Sequence, residues 1–147
     1  MTLSKVIPSD PKLLDEAVEE IVAALNCICC RDDVENIGLA VGEAIANAIV
    51  HGNRCDPQKT VSVSIMTDES GDLLAIVKDS GSGFDPSSLP DPLARKGLRS
   101  NHGRGIFLIR QFMDAVDFRF SNGTEVRMRR AQNWGQATPI PLRTTQS

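Results

Sequence analysis

The 147-residue sequence is poor in several features, and each shortage excludes a class of protein. No apolar run approaches the roughly 20 residues of a membrane-spanning helix. No excess of positive charge exists: 16 Lys and Arg face 19 Asp and Glu, for a net charge of -3. That balance argues against a dedicated nucleic-acid binder, because phosphate contacts need clustered cations. Gly-x-x-x-x-Gly-Lys-Ser/Thr is missing, so there is no P-loop. Gly-x-Gly-x-x-Gly does not follow a strand pattern, so a dinucleotide fold is unsupported. The segment Met1-Thr2-Leu3-Ser4-Lys5-Val6-Ile7-Pro8 lacks a signal-peptide core, and a cytoplasmic location is expected. Only four cysteines occur, at 27, 29, 30 and 55, with no second Cys or His pair at zinc-finger spacing. Reduced thiols serving as small apolar residues are the favoured reading. A metal or redox sensor built on Cys27, Cys29, Cys30 and Cys55 is the competing one.

What is present suits one domain. Hydrophobic residues make up 41% and charged residues 24%, which excludes a disordered or fibrous chain. Val6 and Ile7 before Pro8 form a short strand. Ser9 or Asp10 caps a helix that has Pro11 at its first position. From Lys12 to Leu25 apolar residues recur at helical spacing. A second helix starts near Asp32 or Asp33 and runs to about Val50, with Gly52-Asn53 ending it. Val61, Val63 and Ile65 alternate with polar residues, as in a half-buried strand. Glu69-Ser70-Gly71-Asp72 reads as a hairpin turn, and Leu73 to Lys78 as a second, more fully buried strand. The stretch from Ser80 to Gly103 has no regular pattern, and so long a connection marks a functional or mobile loop. A third helix spans roughly Arg104 to Met113. Two strands follow, Ala115 to Phe120 and Glu125 to Arg129. This is an α+β pattern, a mostly antiparallel sheet with helices on one face. Residues 1–130 form the domain and 131–147 a tail.

Three segments carry chemistry. In the second helix Ala40, Val41, Ala44, Ile45, Ala48 and Ile49 share one broad face. Glu43, Asn47 and His51, each four apart, form a polar stripe on another. A solvated helix face is the ordinary meaning of such a stripe. Two details lean the other way: small residues flank it, and Asn is a poor mid-helix residue. A carboxylate with a neutral oxygen ligand one turn on suits a proton acceptor beside Mg²⁺. Next, Asp79-Ser80-Gly81-Ser82-Gly83 follows a buried strand. Its glycines let backbone approach a flat ligand, and its carboxylate accepts hydrogen bonds from an exocyclic amine such as adenine N6. Guanine, with an oxygen there, would leave that carboxylate unpaired. A hairpin turn is the alternative. Third, Gly103-Arg104-Gly105 opens an apolar helix, offering free N–H groups, a positive dipole end and a guanidinium to phosphate.

The order of these segments, closed by Gly123-Thr124 before the last strand, resembles the ATP-binding signature of the GHKL family. That family includes gyrase, a heat-shock chaperone, histidine kinases and mismatch-repair ATPases. The resemblance spans roughly residues 10–130. Gly-Glu-Ala-x-Ala-Asn-Ala-x-x-His-Gly-Asn from Gly42 and Gly-Arg-Gly-Ile-Phe-Leu-Ile-Arg-Gln-Phe-Met-Asp from Gly103 are most similar to the bacterial anti-sigma factor serine/threonine kinases. The resemblance implies a two-layer sandwich of the Bergerat type with nucleotide held between the layers. It implies Asn47 as Mg²⁺ ligand and Glu43 as the acid that takes the hydroxyl proton. Asp79 matches the adenine-reading carboxylate, with Gly81 and Gly83 shaping its pocket. Gly103, Arg104 and Gly105 match the phosphate-binding turn, Thr124 supports the adenine site, and Pro86 to His102 is the ATP lid. His51 reads as a pocket-lining residue rather than a phosphoacceptor. His102 in the lid is a candidate phosphate contact; Arg95, Lys96 and Arg99 there fit either triphosphate contacts or a solvated surface. The implied cofactors are ATP and Mg²⁺. The implied partners are a sigma factor and an anti-sigma-factor antagonist, with a homodimer also expected and no membrane or direct nucleic-acid contact. An ATP-gated regulatory module without kinase activity is the alternative function.

Overall fold

The computed structural model describes residues 2–28, 32–81, 101–120 and 122–131; residues 28 and 101–106 are described by their backbone only. Strand β1 runs Thr2–Pro8. Asp10 then caps a single 3-10 turn, Pro11–Leu13, its side chain accepting from the Lys12 N–H. That turn leads into α1, Leu14–Ile28, so the cap and the proline precede the α-helix by one turn. Helix α2 spans Val34–Asn47 and continues without a break into a π-helical turn, Ala48–Gly52. Strands β2 (Thr60–Thr67) and β3 (Leu73–Asp79) form a hairpin. In its turn Asp68 accepts from the Ser70 and Asp72 N–H groups, and Gly71 takes a φ of 89°, which favours glycine. Helix α3 is Asn101–Phe112, and β4 (Ala115–Phe120) and β5 (Thr124–Arg130) form the second hairpin.

The five strands make one sheet in the order β1-β2-β3-β5-β4, and every pairing is antiparallel. Odd-numbered positions from 61 to 65 of β2 and throughout β3 are buried: Val61, Val63 and Ile65 align with Asp79, Val77 and Ala75. Both strands alternate, and β3, with no exposed residue, is the more fully buried of the two, as its sequence predicts. The inner sheet face packs on Ile21 and Leu25 of α1, Ile37, Val41 and Ile45 of α2, and Ile109 of α3. The α1–α2 contact is close, because Gly38 and Gly42 present no side chain to Val22 and Val18. A buried ion pair, Arg130 Nε to Asp33 Oδ2 at 2.9 Å, ties the end of β5 to the start of α2.

Two cysteines depart from expectation. Cys27 and Cys55 are free and exposed, so neither is a small apolar core residue. No cluster of His, Cys, Asp or Glu suited to a metal occurs among the described residues. Cys29 and Cys30 lie outside them.

Candidate functional site

The site is built where β3 ends under α2. Asp79 is the last residue of β3 and points inward, because the strand alternation that buries Val77 also buries it. Only 2% of its surface is exposed. Its Oδ1 accepts the Gly81 N–H at 3.0 Å and the Thr124 N–H at 3.1 Å. Its Oδ2 is buried and has no hydrogen-bond partner among the described residues. Burial pushes the carboxyl pKa up; the Thr124 and Gly81 donors, then Lys78 and Lys59, offset part of that rise.

Three glycines make room for this carboxyl. A Cβ on Gly52 would overlap Asp79 Oδ2, and one on Gly81 would overlap the Gly52 carbonyl oxygen. Gly123 takes a φ of 114°, and a Cβ there would lie 2.5 Å from the Asp79 carbonyl oxygen. Gly81 therefore answers a backbone contact in addition to the ligand approach that its spacing implies. Gly52 and Gly123 were legible as a helix end, a turn and parts of the family motifs, but not as neighbours of Asp79.

Glu43 and Asn47 stand one turn apart on α2. Asn47 is 2% exposed, and both its Oδ1 and its Nδ2 lack hydrogen-bond partners among the described residues. Such orphaned amide atoms cost about 1–3 kcal/mol each, so a fold retains them where a ligand completes them. A neutral oxygen with no internal partner fits a hard divalent cation, and an unsatisfied carboxylate oxygen fits an amine donor. Glu43 is half-buried and borders a groove of about 310 Å³ between α1 and α2, together with Val18, Glu19, Gly38, Leu39 and Gly42.

His51 does not continue the stripe at its predicted angle. The helix widens after Asn47, with the Asn53 N–H reaching back to the Ala48 carbonyl at 2.8 Å. A π-turn carries more residues per turn, so position i+4 falls short of a full rotation. His51 is half-buried at this widened end.

The phosphate segment needs one correction. Helix α3 begins at Asn101, so Gly103 and Arg104 lie in its first turn and Gly105 just beyond it, and His102 belongs to the helix rather than a lid. The Gly103 N–H remains among those that a helix start leaves without intrahelical partners, whereas the helix ladder begins at Arg104. Gly83 and residues 86–100, Arg95, Lys96 and Arg99 included, lie outside the described residues. Beside the site stands Asn53, which the sequence placed at a helix end and at the close of the motif from Gly42 without a role; it is 1% exposed and bonded on both ends of its amide.

Comparison with known proteins gives a concordant picture. The profile described as the histidine kinase-like ATPase domain matches residues 7–130. An anti-sigma F factor of Geobacillus stearothermophilus is 34% identical over 104 residues, covering 68% of this chain and 70% of that protein. A serine-protein kinase RsbW of Bacillus velezensis is 32% identical over 144 residues, covering 86% of this chain and 83% of that one. A solved structure of the RsbU and RsbW domains of a Mycobacterium tuberculosis protein superposes with a TM-score of 0.65 at 16% identity. It matches 89% of this chain, which spans 32% of that longer polypeptide, and at this identity the likeness bears on fold alone.

Proposed function

Because the chain belongs to the histidine kinase-like ATPase family, in its branch of anti-sigma F factors and RsbW-type serine-protein kinases, we propose that it phosphorylates a serine or threonine of an anti-sigma-factor antagonist with ATP. By the same reading it holds a sigma factor, acts in the cytoplasm and forms a homodimer. No helix among the described residues is long and apolar enough to cross a membrane. The observation that carries the proposal is the set of buried, unsatisfied atoms: Asp79 Oδ2 on the sheet, Asn47 Oδ1 and Nδ2 on the helix above it.

Each residue has a separable task. Asp79 Oδ2 accepts the exocyclic amine of adenine while Oδ1 stays anchored to the Thr124 and Gly81 N–H groups. Guanine would set an oxygen against the same carboxylate. Asn47 Oδ1 is the protein oxygen available to Mg²⁺, which when bound neutralises developing charge on the phosphates. The free N–H groups at the start of α3, that of Gly103 among them, receive phosphate oxygens at the positive end of the helix dipole. Gly83, Gly105 and the Arg104 guanidinium belong to the same site by family resemblance. Glu43 takes the proton of the acceptor hydroxyl as its oxygen bonds to the γ-phosphorus. The bond from that phosphorus to the bridging oxygen breaks, and ADP carries away the electron pair. The groove beside Glu43 gives a protein-borne hydroxyl a route to the acid.

Transfer of label from γ-labelled ATP to a purified antagonist tests the proposal. Glu43→Ala is expected to slow transfer about 10²- to 10⁴-fold and to leave ATP binding nearly unchanged. ATP binding with no transfer by the unaltered protein would leave only the ATP-gated regulatory module.

A further inference from the structure

Asn53 follows the glycine that walls the Asp79 carboxylate, and it is among the most completely bonded side chains of the molecule. Its Nδ2 donates to Ser9 Oγ at 2.6 Å and to the Thr60 carbonyl at 2.9 Å. Its Oδ1 accepts the Ser80 N–H at 3.0 Å. Ser9 follows β1, Thr60 opens β2, and Ser80 is the residue after Asp79, so one amide gathers three segments distant in sequence. The chain around it is held firmly. Its own N–H bonds the Ala48 carbonyl, and Arg54 and Cys55 both take left-handed φ values, 54° and 60°, immediately afterwards. Non-glycine residues persist there only where surrounding contacts outweigh the strain.

The consequence falls on the purine end of the site. Ser80 sits between the carboxylate and Gly81, whose N–H returns to Asp79 Oδ1. A bond to the Ser80 N–H therefore fixes the peptide planes on which the Asp79 side chain turns. We propose that Asn53 is a positioning residue for base recognition, acting through Ser80 to aim Asp79 Oδ2 at the purine. This rests on the reading of Asp79 as the adenine-reading acid. Asn53 itself touches no nucleotide.

The test is calorimetric titration of the full chain with Mg²⁺ and either ATP or purine riboside triphosphate, which lacks the exocyclic amine. Unaltered protein should prefer ATP at least tenfold. In Asn53→Ala that preference should shrink below threefold, chiefly through weaker ATP binding, while the affinity for the amine-free nucleotide stays within twofold. Label transfer at saturating ATP should likewise stay within twofold, so the effect appears in KM rather than kcat. Equal loss of both nucleotides, or an unchanged preference in a folded variant, overturns the proposal. Should Asn53→Ala fail to fold, Ser9→Ala decides. It removes one acceptor from the amide, lies outside the pocket, and is expected to lower the ATP preference twofold to fivefold. An unchanged preference there also overturns the proposal. Unaltered protein that binds no ATP overturns the Asp79 reading as well, whereas ATP binding with an unaffected Asn53→Ala overturns the Asn53 role alone.

Discussion

Asp79 holds a charge in a place that stabilises it poorly. Its pKa is raised by burial, so the folded state favours the protonated acid more than the unfolded chain does. The sign follows: its stabilising contribution is complete below the ordinary carboxyl value of 3.8 and is lost as pH rises through the raised folded value. Above that folded value the ionised group costs stability. Asp79→Asn should therefore make the nucleotide-free protein more stable at alkaline pH, a gain that vanishes in acid. The same variant should weaken ATP binding by at least about 100-fold, since an amide cannot offer two acceptors. Thermal melts across pH, with and without ATP, check both halves. ATP affinity of the unaltered protein should fall on acidification through a pKa above 3.8, as the acceptor becomes protonated. Gly52→Ala needs no charge argument: its Cβ would displace Asp79 Oδ2, and tenfold or greater loss of ATP affinity is expected. Asp79, Asn47 and Glu43 were legible in the sequence because their spacing and neighbours are unusual for surface residues. Gly52 and Asn53 were not, because what they touch lies 27 residues away in the case of Asn53 and Ser80.

At the scale of elements, α2 is a helix with two functions at its two ends. Its start is anchored by Asp33 on Arg130, and its end widens into the π-turn that delivers Gly52 and Asn53 to Asp79. Arg130 Nη1 also lies 3.6 Å from Asp114 Oδ1, so loss of Asp33 leaves the guanidinium a partly exposed partner. Asp33→Ala should thus lower stability by about 2 kcal/mol in denaturant melts, less than a fully stranded buried charge would cost, with ATP affinity below the melting range within twofold of normal. The helical period located α1 and α2 well, since apolar spacing is a local property. The π-turn was invisible, because the residues that widen it, Ala48 to Gly52, read as ordinary helix. The start of α3 was placed three residues late, because Asn101, His102 and Gly103 are poor helix formers that the fold nonetheless recruits.

For the whole molecule, alternation along β2, the apolar run of β3 and the turn chemistry between them made the first hairpin legible directly. The sheet order did not follow from them. That β5 inserts beside β3 and leaves β4 at the edge is a tertiary choice, and it is what brings the Thr124 N–H to Asp79 across 45 positions. The site therefore spans both hairpins and α2, and nucleotide should stabilise the domain as a unit. ATP·Mg²⁺ at 100 times its Kd should add about 2.7 kcal/mol, a rise of roughly 5–10 °C in Tm. Asn47→Ala should reduce that rise while leaving the nucleotide-free Tm unchanged or higher, because it removes two unsatisfied buried atoms.

The most direct measurement is titration calorimetry of the intact chain with ATP·Mg²⁺, run in parallel on Asp79→Ala. Saturable one-site binding that disappears in the variant is the predicted result. No uptake by folded protein at millimolar nucleotide, or equal uptake by both proteins, would contradict the assignment of a purine site to this acid.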